Sequence, residues 1–303
     1  MGGGRARDER GMKVVLFCGG QGLRMRGGAA DRLPKPMMPL GRRPLLWHVM
    51  RYYAHWGHKD FILCLGHGGE AIKEYFVSNE EWRFNDFVLS PGGESGPELL
   101  DRDMLDRDMQ DWRITFVDTG ANANIGERLL AVRPHLRDEP MFLANYADGL
   151  TDYPLPRLIE GARNGRAVGA FLATRPGTSF HFVEQDADGH VLRLRPVEET
   201  ALRVNGGFFV FDRKIFDYIR PGEELVEEPL ARLAEDRLLL AHRYDGFWRC
   251  CDTFKDLREL EGMMARGPAP WEVWRRSFPA PQDWLGRQCQ LRAATAELEA
   301  VSG

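Results

Sequence analysis

Cysteine is scarce in this chain of 303 residues: there are five, an odd number, with no C-x-x-C pair and only Cys250-Cys251 adjacent. That excludes a disulfide framework and a zinc knuckle as the basis of the fold. An excess of one charge is missing too. With 41 basic against 45 acidic side chains the net charge is −4, so no global basic field recommends nucleic acid as a partner. Long apolar runs are absent; stretches such as Lys13-Val14-Val15-Leu16-Phe17-Cys18 are strand-length, well below the ~18 apolar residues that a membrane span needs. The polar, charged opening lacks the apolar stretch of a signal peptide, and residues 1–11 are expected to be a disordered leader. His48, His55, His58 and His67 lie near one another in sequence but have no metal-ligand spacing with a carboxylate or cysteine, so they read as packing or surface histidines. No internal repeat is visible.

Enough apolar material is present for a full core, 43% of residues, and this marks a globular cytoplasmic protein. Strand-like runs alternate with amphipathic stretches, which is the pattern of an α/β sheet with helices packed on it. Strands are predicted at Lys13–Cys18, Asp60–Leu65, Arg113–Val117, Met141–Tyr146, Val168–Thr174 and Val204–Phe211. Helical spacing predicts helices over Pro44–Trp56, Glu70–Phe76, Gly126–Leu136, Pro156–Arg163 and Glu228–Asp236. Asp186-Ala187-Asp188-Gly189, between two alternating runs, predicts a small antiparallel hairpin. Residues 85–110, rich in Asp, Gly and Glu, read as an insertion or long loop. The domain is expected to span 12–274, and residues 275–303 to form a C-terminal appendage ending in one helix.

The sharpest local feature follows the first strand: Phe17-Cys18-Gly19-Gly20-Gln21-Gly22-Leu23-Arg24-Met25-Arg26. Three glycines in four positions let backbone N–H groups approach a ligand, as a phosphate cradle requires, and the arginines can pair with phosphate oxygens. The spacing is neither a Rossmann fingerprint nor a Walker A loop, since Met25 stands at the third glycine and Gly28 at the lysine. A glycine turn with solvated arginines is the plainer alternative. Next comes Leu33-Pro34-Lys35-Pro36-Met37, with one lysine held between two prolines on a rigid, extended backbone, as a lysine positioned for a phosphate needs. Asp148-Gly149 and Asp252-Thr253 supply carboxylates at a strand end and before a helix; taken alone, the first could be a turn and the second a helix cap.

Gly19-Gly20-x-Gly22-x-Arg24 followed by Pro34-Lys35-Pro36-Met37 resembles the signature of the sugar-1-phosphate nucleotidyltransferases. Trp47-His48, Val117-Asp118-Thr119-Gly120, Tyr146-Ala147-Asp148-Gly149, Val204-Asn205-Gly206-Gly207-Phe208-Phe209, Gly246-Phe247-Trp248, Asp252-Thr253 and Ala269-Pro270-Trp271 extend the likeness toward the glucose-1-phosphate cytidylyltransferase branch. The resemblance implies a three-layer, Rossmann-like mixed sheet flanked by helices, its sugar-binding portion at about 168–253. It implies transfer of a nucleotidyl group from CTP to a sugar 1-phosphate, with Mg²⁺ held by Asp148 and Asp252. In this likeness Arg24, Lys35 and Asp148 are catalytic, and Gly19, Gly20, Gly22, Arg24, Thr119, Gly120 and Asp148 surround the nucleotide. Asn205 and Gly206 line the sugar, and Arg128 is a weaker candidate for the triphosphate.

Two positions depart from the likeness. Leu23 stands where the family carries Thr or Ser. Leu194-Arg195-Pro196 stands where its sugar-phosphate lysine precedes a proline, so Arg195, or else Arg193, is the candidate anchor. Transfer with another nucleotide or phosphorylated acceptor, and a lapsed nucleotide-sugar-binding module, remain the alternatives. Expected partners are the two substrates, with self-association left open and neither nucleic acid nor membrane.

Overall fold

The computed structural model describes residues 11–20, 33–78, 87–88, 98–99, 109–177, 181–197 and 200–276. Gly22, Leu23 and Arg24, the leader, the appendage and most of the 85–110 segment lie outside these residues.

β1 (Lys13–Phe17) is followed by a 3₁₀ turn at Lys35–Met37, β2 (Pro39–Leu40), β3 (Arg43–Pro44) and helix α1 (Leu45–His55). β4 (Asp60–Leu65), α2 (Gly69–Ser78), β5 (Phe87–Val88), β6 (Glu98–Leu99), β7 (Arg113–Asp118) and α3 (Ile125–Val132) come next. β8 (Met141–Tyr146), β9 (Gly149–Thr151), α4 (Leu155–Asn164) and β10 (Gly169–Thr174) precede the hairpin of β11 (His181–Gln185) and β12 (Val191–Pro196). Last are β13 (Val204–Asn205), β14 (Phe209–Asp212), α5 (Pro229–Glu235), β15 (Leu239–Tyr244), β16 (Trp248–Cys250) and α6 (Phe254–Ala265).

The expected three layers are present. β7, β4, β1 and β8 lie side by side and parallel; β14 pairs antiparallel with β8, and β10 antiparallel with β14. β15 then adds parallel to β10. Alternate residues of each strand go to opposite faces. Val14 and Leu16 join Leu46, Val49, Tyr53 and Leu158 from α1 and α4, while Val15 and Phe17 join Leu129, Val132 and Leu233 from α3 and α5. Every parallel strand therefore points its C-terminal end to one edge. The chain also reverses its order there: from β1 it builds outward through β4 and β7, then returns to the other side of β1 as β8. Open α/β sheets bind ligands at such a switch point.

Several boundaries differ from the sequence reading, each for a local reason. The strand expected over Val204–Phe211 is split, because Gly207 (φ +74°) and Phe208 (φ +54°) adopt left-handed backbone. Their N–H groups turn to the side-chain oxygens of Asn205 and the fully buried Asn145. A Cβ at Gly207 would stand 2.4 Å from that Asn145 oxygen, so only glycine fits. The helix expected through Leu136 ends at Val132 and continues as a 3₁₀ turn containing Pro134, which has no N–H to extend the α pattern. β15 was not anticipated from the sequence.

His48 shows how the C-terminal segment is fastened to the core. Its Nε2 donates to the Leu40 carbonyl at 3.0 Å, which leaves Nδ1 to accept from Trp271 Nε1 at 3.3 Å. Trp271 is 1% exposed and Trp274 stacks edge-on against Trp47, so both tryptophans clamp this segment internally. Burial lowers the pKa of His48 to about 4, and burial does the same for His58. Between the ordinary histidine value and about 4, the unfolded chain binds protons that the folded chain excludes. Stability is thus complete above pH ~6.5 and falls on acidification, His48 accounting for roughly 2–3 kcal/mol. Thermal unfolding of the wild type and His48→Gln from neutrality to about pH 4.5 checks this, with a flatter pH dependence expected in the variant.

Candidate active site at the carboxyl edge of the sheet

Cys18 continues β1 by donating its N–H to the Cys64 carbonyl at 3.0 Å, and the chain then leaves the sheet as Gly19-Gly20. Arg128, on α3, reaches under this exit. Its Nη1 donates to the Leu65 carbonyl (3.1 Å) and Thr119 Oγ1 (2.7 Å), and its Nη2 to the Gly19 carbonyl (3.0 Å). A Cβ on Gly19 would lie 1.9 Å from the guanidinium, so this glycine is required by the arginine behind it. Arg128 is 3% exposed, so its charge is buried behind the glycines and not solvated on the helix surface. Its capped helix starts with an Asn124–Glu127 capping box, which fixes the helix end beside the glycines.

Lys35 stands in the proline-flanked 3₁₀ turn, where Met37 N–H bonds the Pro34 carbonyl at 2.8 Å. Asp148 follows β8 and Asp252 follows β16. The antiparallel pair β9–β16, in which Gly149 faces Cys250 and Cys251 N–H reaches the Asp148 carbonyl at 3.0 Å, sets the two segments side by side. Asp252 is not the helix cap. Thr253 takes that place in a capping box with Asp256, which leaves the Asp252 carboxylate facing Lys35.

Lys35 Nζ lies 2.5 Å from Asp148 Oδ2 and 2.6 Å from Asp252 Oδ1, so one ammonium bridges two carboxylates. Burial alone would depress its pKa, but Asp148 and the hydrogen bonds to both carboxylates outweigh burial and hold Lys35 protonated above the ordinary lysine value. Cys250 belongs to the same cluster. Its sulfur and the Asp148 and Asp252 oxygens all lie within 4.8 Å of one another. Burial first, and the nearby Asp148 charge second, raise its pKa and keep it a thiol.

Of these groups Lys35 and Asp148 border a cavity of about 330 Å³, lined also by Gly19, Gly20, Asn124, Arg128, Tyr146 and Glu224, among others. The lining holds the Lys35 ammonium, the Asp148 carboxylate and the start of α3, and no histidine among the described residues. An open depression on the outer face of α6, lined by Phe254, Lys255, Arg258 and Glu259, gathers none of these groups.

The nucleotidyl transferase family matches residues 13–261. The chain belongs to the nucleotidyl transferase family. A Bacillus subtilis (strain 168) protein named "Probable glucose-1-phosphate cytidylyltransferase" is 37% identical over 266 residues, 87% of this chain and 100% of that one. The Salmonella typhi protein named glucose-1-phosphate cytidylyltransferase is 34% identical over the same shares. Among solved structures, Yersinia pseudotuberculosis HddC with GMP-PN has a TM-score of 0.56 at 16% identity, covering 84% of this chain and 99% of its own, a likeness of fold.

Within this nucleotidyl transferase fold, the structure brings Gly19, Gly20, Lys35 and Asp148 to the cavity, with Asp252 bonded to Lys35 beside them. Thr119 and Gly120 are not in the lining: the Thr119 hydroxyl donates to the Leu65 carbonyl at 2.7 Å, and Gly120 N–H turns back to Asp118 at 3.0 Å. Asn205 and Gly206 also lie outside the lining, at the same sheet edge; the Gly206 carbonyl accepts from Trp248 Nε1 at 2.8 Å. Arg195 sits near the root of the β11–β12 hairpin, opposite Phe182, with its Nε enclosed and without a hydrogen-bond partner among the described residues. Arg193 instead faces Glu184 across the hairpin at 3.5 Å. Asn124 and Glu224 line the cavity without having been singled out in the sequence, and Tyr146 entered only as the start of the Tyr146-Ala147-Asp148-Gly149 segment, with no role assigned. Among the described residues, no helix is long and apolar enough to cross a membrane.

Arg128 stands or falls with its three acceptors. Arg128→Ala leaves the Leu65 and Gly19 carbonyls and the Thr119 hydroxyl without this donor and opens a void, so urea unfolding should show a loss of about 3 kcal/mol or more.

Proposed function

We propose that this enzyme transfers a cytidylyl group from CTP to a sugar 1-phosphate, glucose 1-phosphate or a relative, giving a CDP-sugar and pyrophosphate. The observation that carries the reading is the meeting of Lys35, Asp148 and Asp252 at the mouth of a glycine-walled cavity, in a chain similar over 266 residues to relatives of that name.

The chemistry asks little of acid–base groups. A phosphate oxygen of the sugar phosphate, already anionic at neutral pH, attacks the α-phosphorus of the nucleotide. The bond from that phosphorus to the α,β-bridging oxygen breaks, and its electron pair leaves with pyrophosphate. No proton has to move, which accords with a cavity that no histidine lines among the described residues. What the site must supply is alignment of two polyanions and positive charge. Gly19, Gly20 and, by the family likeness, Gly22 and Arg24 enclose the triphosphate, and the Arg128 guanidinium adds a fixed charge behind them. Lys35, released from the carboxylates, pairs with a phosphate oxygen. Thr119 and Gly120 shape the nucleotide side from behind, and Asn205 and Gly206 the sugar side.

Asp148 and Asp252 fit a divalent cation, since two carboxylates converge on a position where the structure already holds a positive charge. They would hold Mg²⁺, which when bound neutralises charge on the phosphates and polarises the phosphorus under attack. Arg195 is assigned to the sugar phosphate. Its hairpin springs from the C-terminal end of β10 and returns to β13, so its root stands over the ligand-binding edge. The enzyme is placed in the cytoplasm, and its self-association remains for sedimentation to define.

Pyrophosphate release with Mg²⁺, measured across four nucleoside triphosphates and several sugar 1-phosphates, tests the reading. CTP with glucose 1-phosphate or a close relative should be the preferred pair; turnover with no pair would favour a binding module. Lys35→Ala and Asp252→Asn should each lower kcat by about 100-fold or more, as losses of transition-state charge stabilisation do. Arg195→Ala should instead raise KM for the sugar phosphate about tenfold or more while leaving KM for the nucleotide nearly unchanged, the loss of one charged contact.

A further inference from the structure

Among the described residues, Cys250 is the member of the carboxylate cluster that the transfer chemistry does not use. It ends β16 directly opposite Gly149, and the pairing of β9 with β16 fixes its sulfur beside Asp148 on one side and Asp252 on the other. Cys251, the next residue, turns the other way and is fully buried in the core, so the two adjacent cysteines have different surroundings. Cys250 is only half-buried.

The cluster therefore offers two oxygens and one sulfur, all within 4.8 Å of one another, around a position that attracts a cation, since the Lys35 ammonium already lies 2.5 and 2.6 Å from the two carboxylates. Mg²⁺ takes oxygen and gains nothing from a thiolate, whereas Zn²⁺ and its heavier relative Cd²⁺ bind sulfur strongly. Ligand atoms around a tetrahedral ion of that size are roughly 3.5 Å apart, so small side-chain rotations suffice to close the set.

We infer that Cys250 makes the Asp148–Asp252 cation seat a mixed oxygen–sulfur site that takes thiophilic divalent cations, with Zn²⁺ as the natural class, in competition with Mg²⁺. On binding, a metal–sulfur bond forms, the thiol proton passes to solvent and Lys35 gives up its place between the carboxylates. The inference rests on the assignment of Asp148 and Asp252 as a cation seat, and it does not depend on which nucleotide or sugar is used.

The test uses the full-length protein without substrates. Cd²⁺ titration of the wild type should produce a sulfur-to-metal charge-transfer absorbance. Cys250→Ser should lose that band and bind Cd²⁺ at least about tenfold more weakly, the scale expected when one strong ligand is lost. Alkylation of Cys250 by iodoacetamide, followed by mass spectrometry of the unmodified sequence, needs no variant. Zn²⁺ or Cd²⁺ should protect Cys250, and Mg²⁺ at a concentration that displaces bound Mn²⁺ should not. A band that survives in Cys250→Ser, or equal alkylation with and without Cd²⁺, would overturn the role of Cys250. Mn²⁺ binding followed by electron paramagnetic resonance separates the two layers. If Mn²⁺ binds the wild type but not Asp252→Asn while Cd²⁺ shows no sulfur bond, the seat stands and the Cys250 inference falls. If Mn²⁺ binds both proteins equally, the seat itself falls.

Discussion

Asp148 and Asp252 cannot share a corner of the molecule unless something positive lies between them. Their oxygens lie within 4.8 Å of one another, where two negative charges repel by roughly 3.5 kcal/mol or more at an effective dielectric of about 20, and desolvation adds to the cost. The fold imposes the encounter all the same. β9 and β16 come from distant parts of the chain, and their pairing delivers one carboxylate just before the first strand and the other just after the second. Lys35 offsets the repulsion with an ammonium bonded to both. That bridge explains why a lysine is set in a proline-flanked turn, since a freely rotating surface chain would lose more entropy in holding two partners at once. It also marks where a cation belongs. The ammonium and a divalent ion compete for one position, so on the proposed reading the arrival of metal and polyphosphate frees Lys35 for the phosphates.

Two buried polar side chains keep the walls around this bridge in place. Arg128 ties the end of β4, the residue after β7 and the exit from β1 together through three neutral oxygens. Asn145, inside β8, satisfies the N–H of Phe208 and so stabilises the left-handed break between β13 and β14. Both are groups whose loss strands buried partners, and both act on strand ends at the ligand edge. Pre-organisation of this kind suits a reaction that needs charge and alignment more than proton transfer.

Most of the scaffold was legible in the sequence because strands buried on both faces are continuous apolar runs and helices show one apolar stripe. Asp60–Leu65 and Met141–Tyr146 fall where the runs end, and Gly57, at φ +87°, follows α1 where expected. The places where local reading failed are those decided by distant partners. The break at Gly206-Gly207-Phe208 is set by Asn145, the burial of Arg128 by carbonyls on two other strands, and the surroundings of Cys250 by pairing with β9. Asp252 could be read as a helix cap from the sequence alone; the capping box of Thr253 with Asp256 gives that place to Thr253. The lysine and the two aspartates could be named from motif resemblance, but their separation could not, because nothing in the intervening sequence encodes a distance.

The same topology separates the two ends of the reaction. The glycines, Arg128 and the carboxylate pair sit on β1, α3, β8 and the β9–β16 pair, elements packed into or against the central sheet. On the proposed reading the acceptor side belongs to β11 and β12, which among the described residues form a two-stranded sheet of their own and expose Val183, Leu192 and Leu194. A two-stranded ribbon draws little stability from its own pairing, so its residues can change at small cost to the core. A lysine moved out of the sugar-phosphate position, with Arg195 at the ribbon's root in its stead, is the kind of change that such a layout tolerates. On that reading, choice of acceptor can shift through the ribbon while the Lys35–Asp148–Asp252 geometry is held by elements of the sheet.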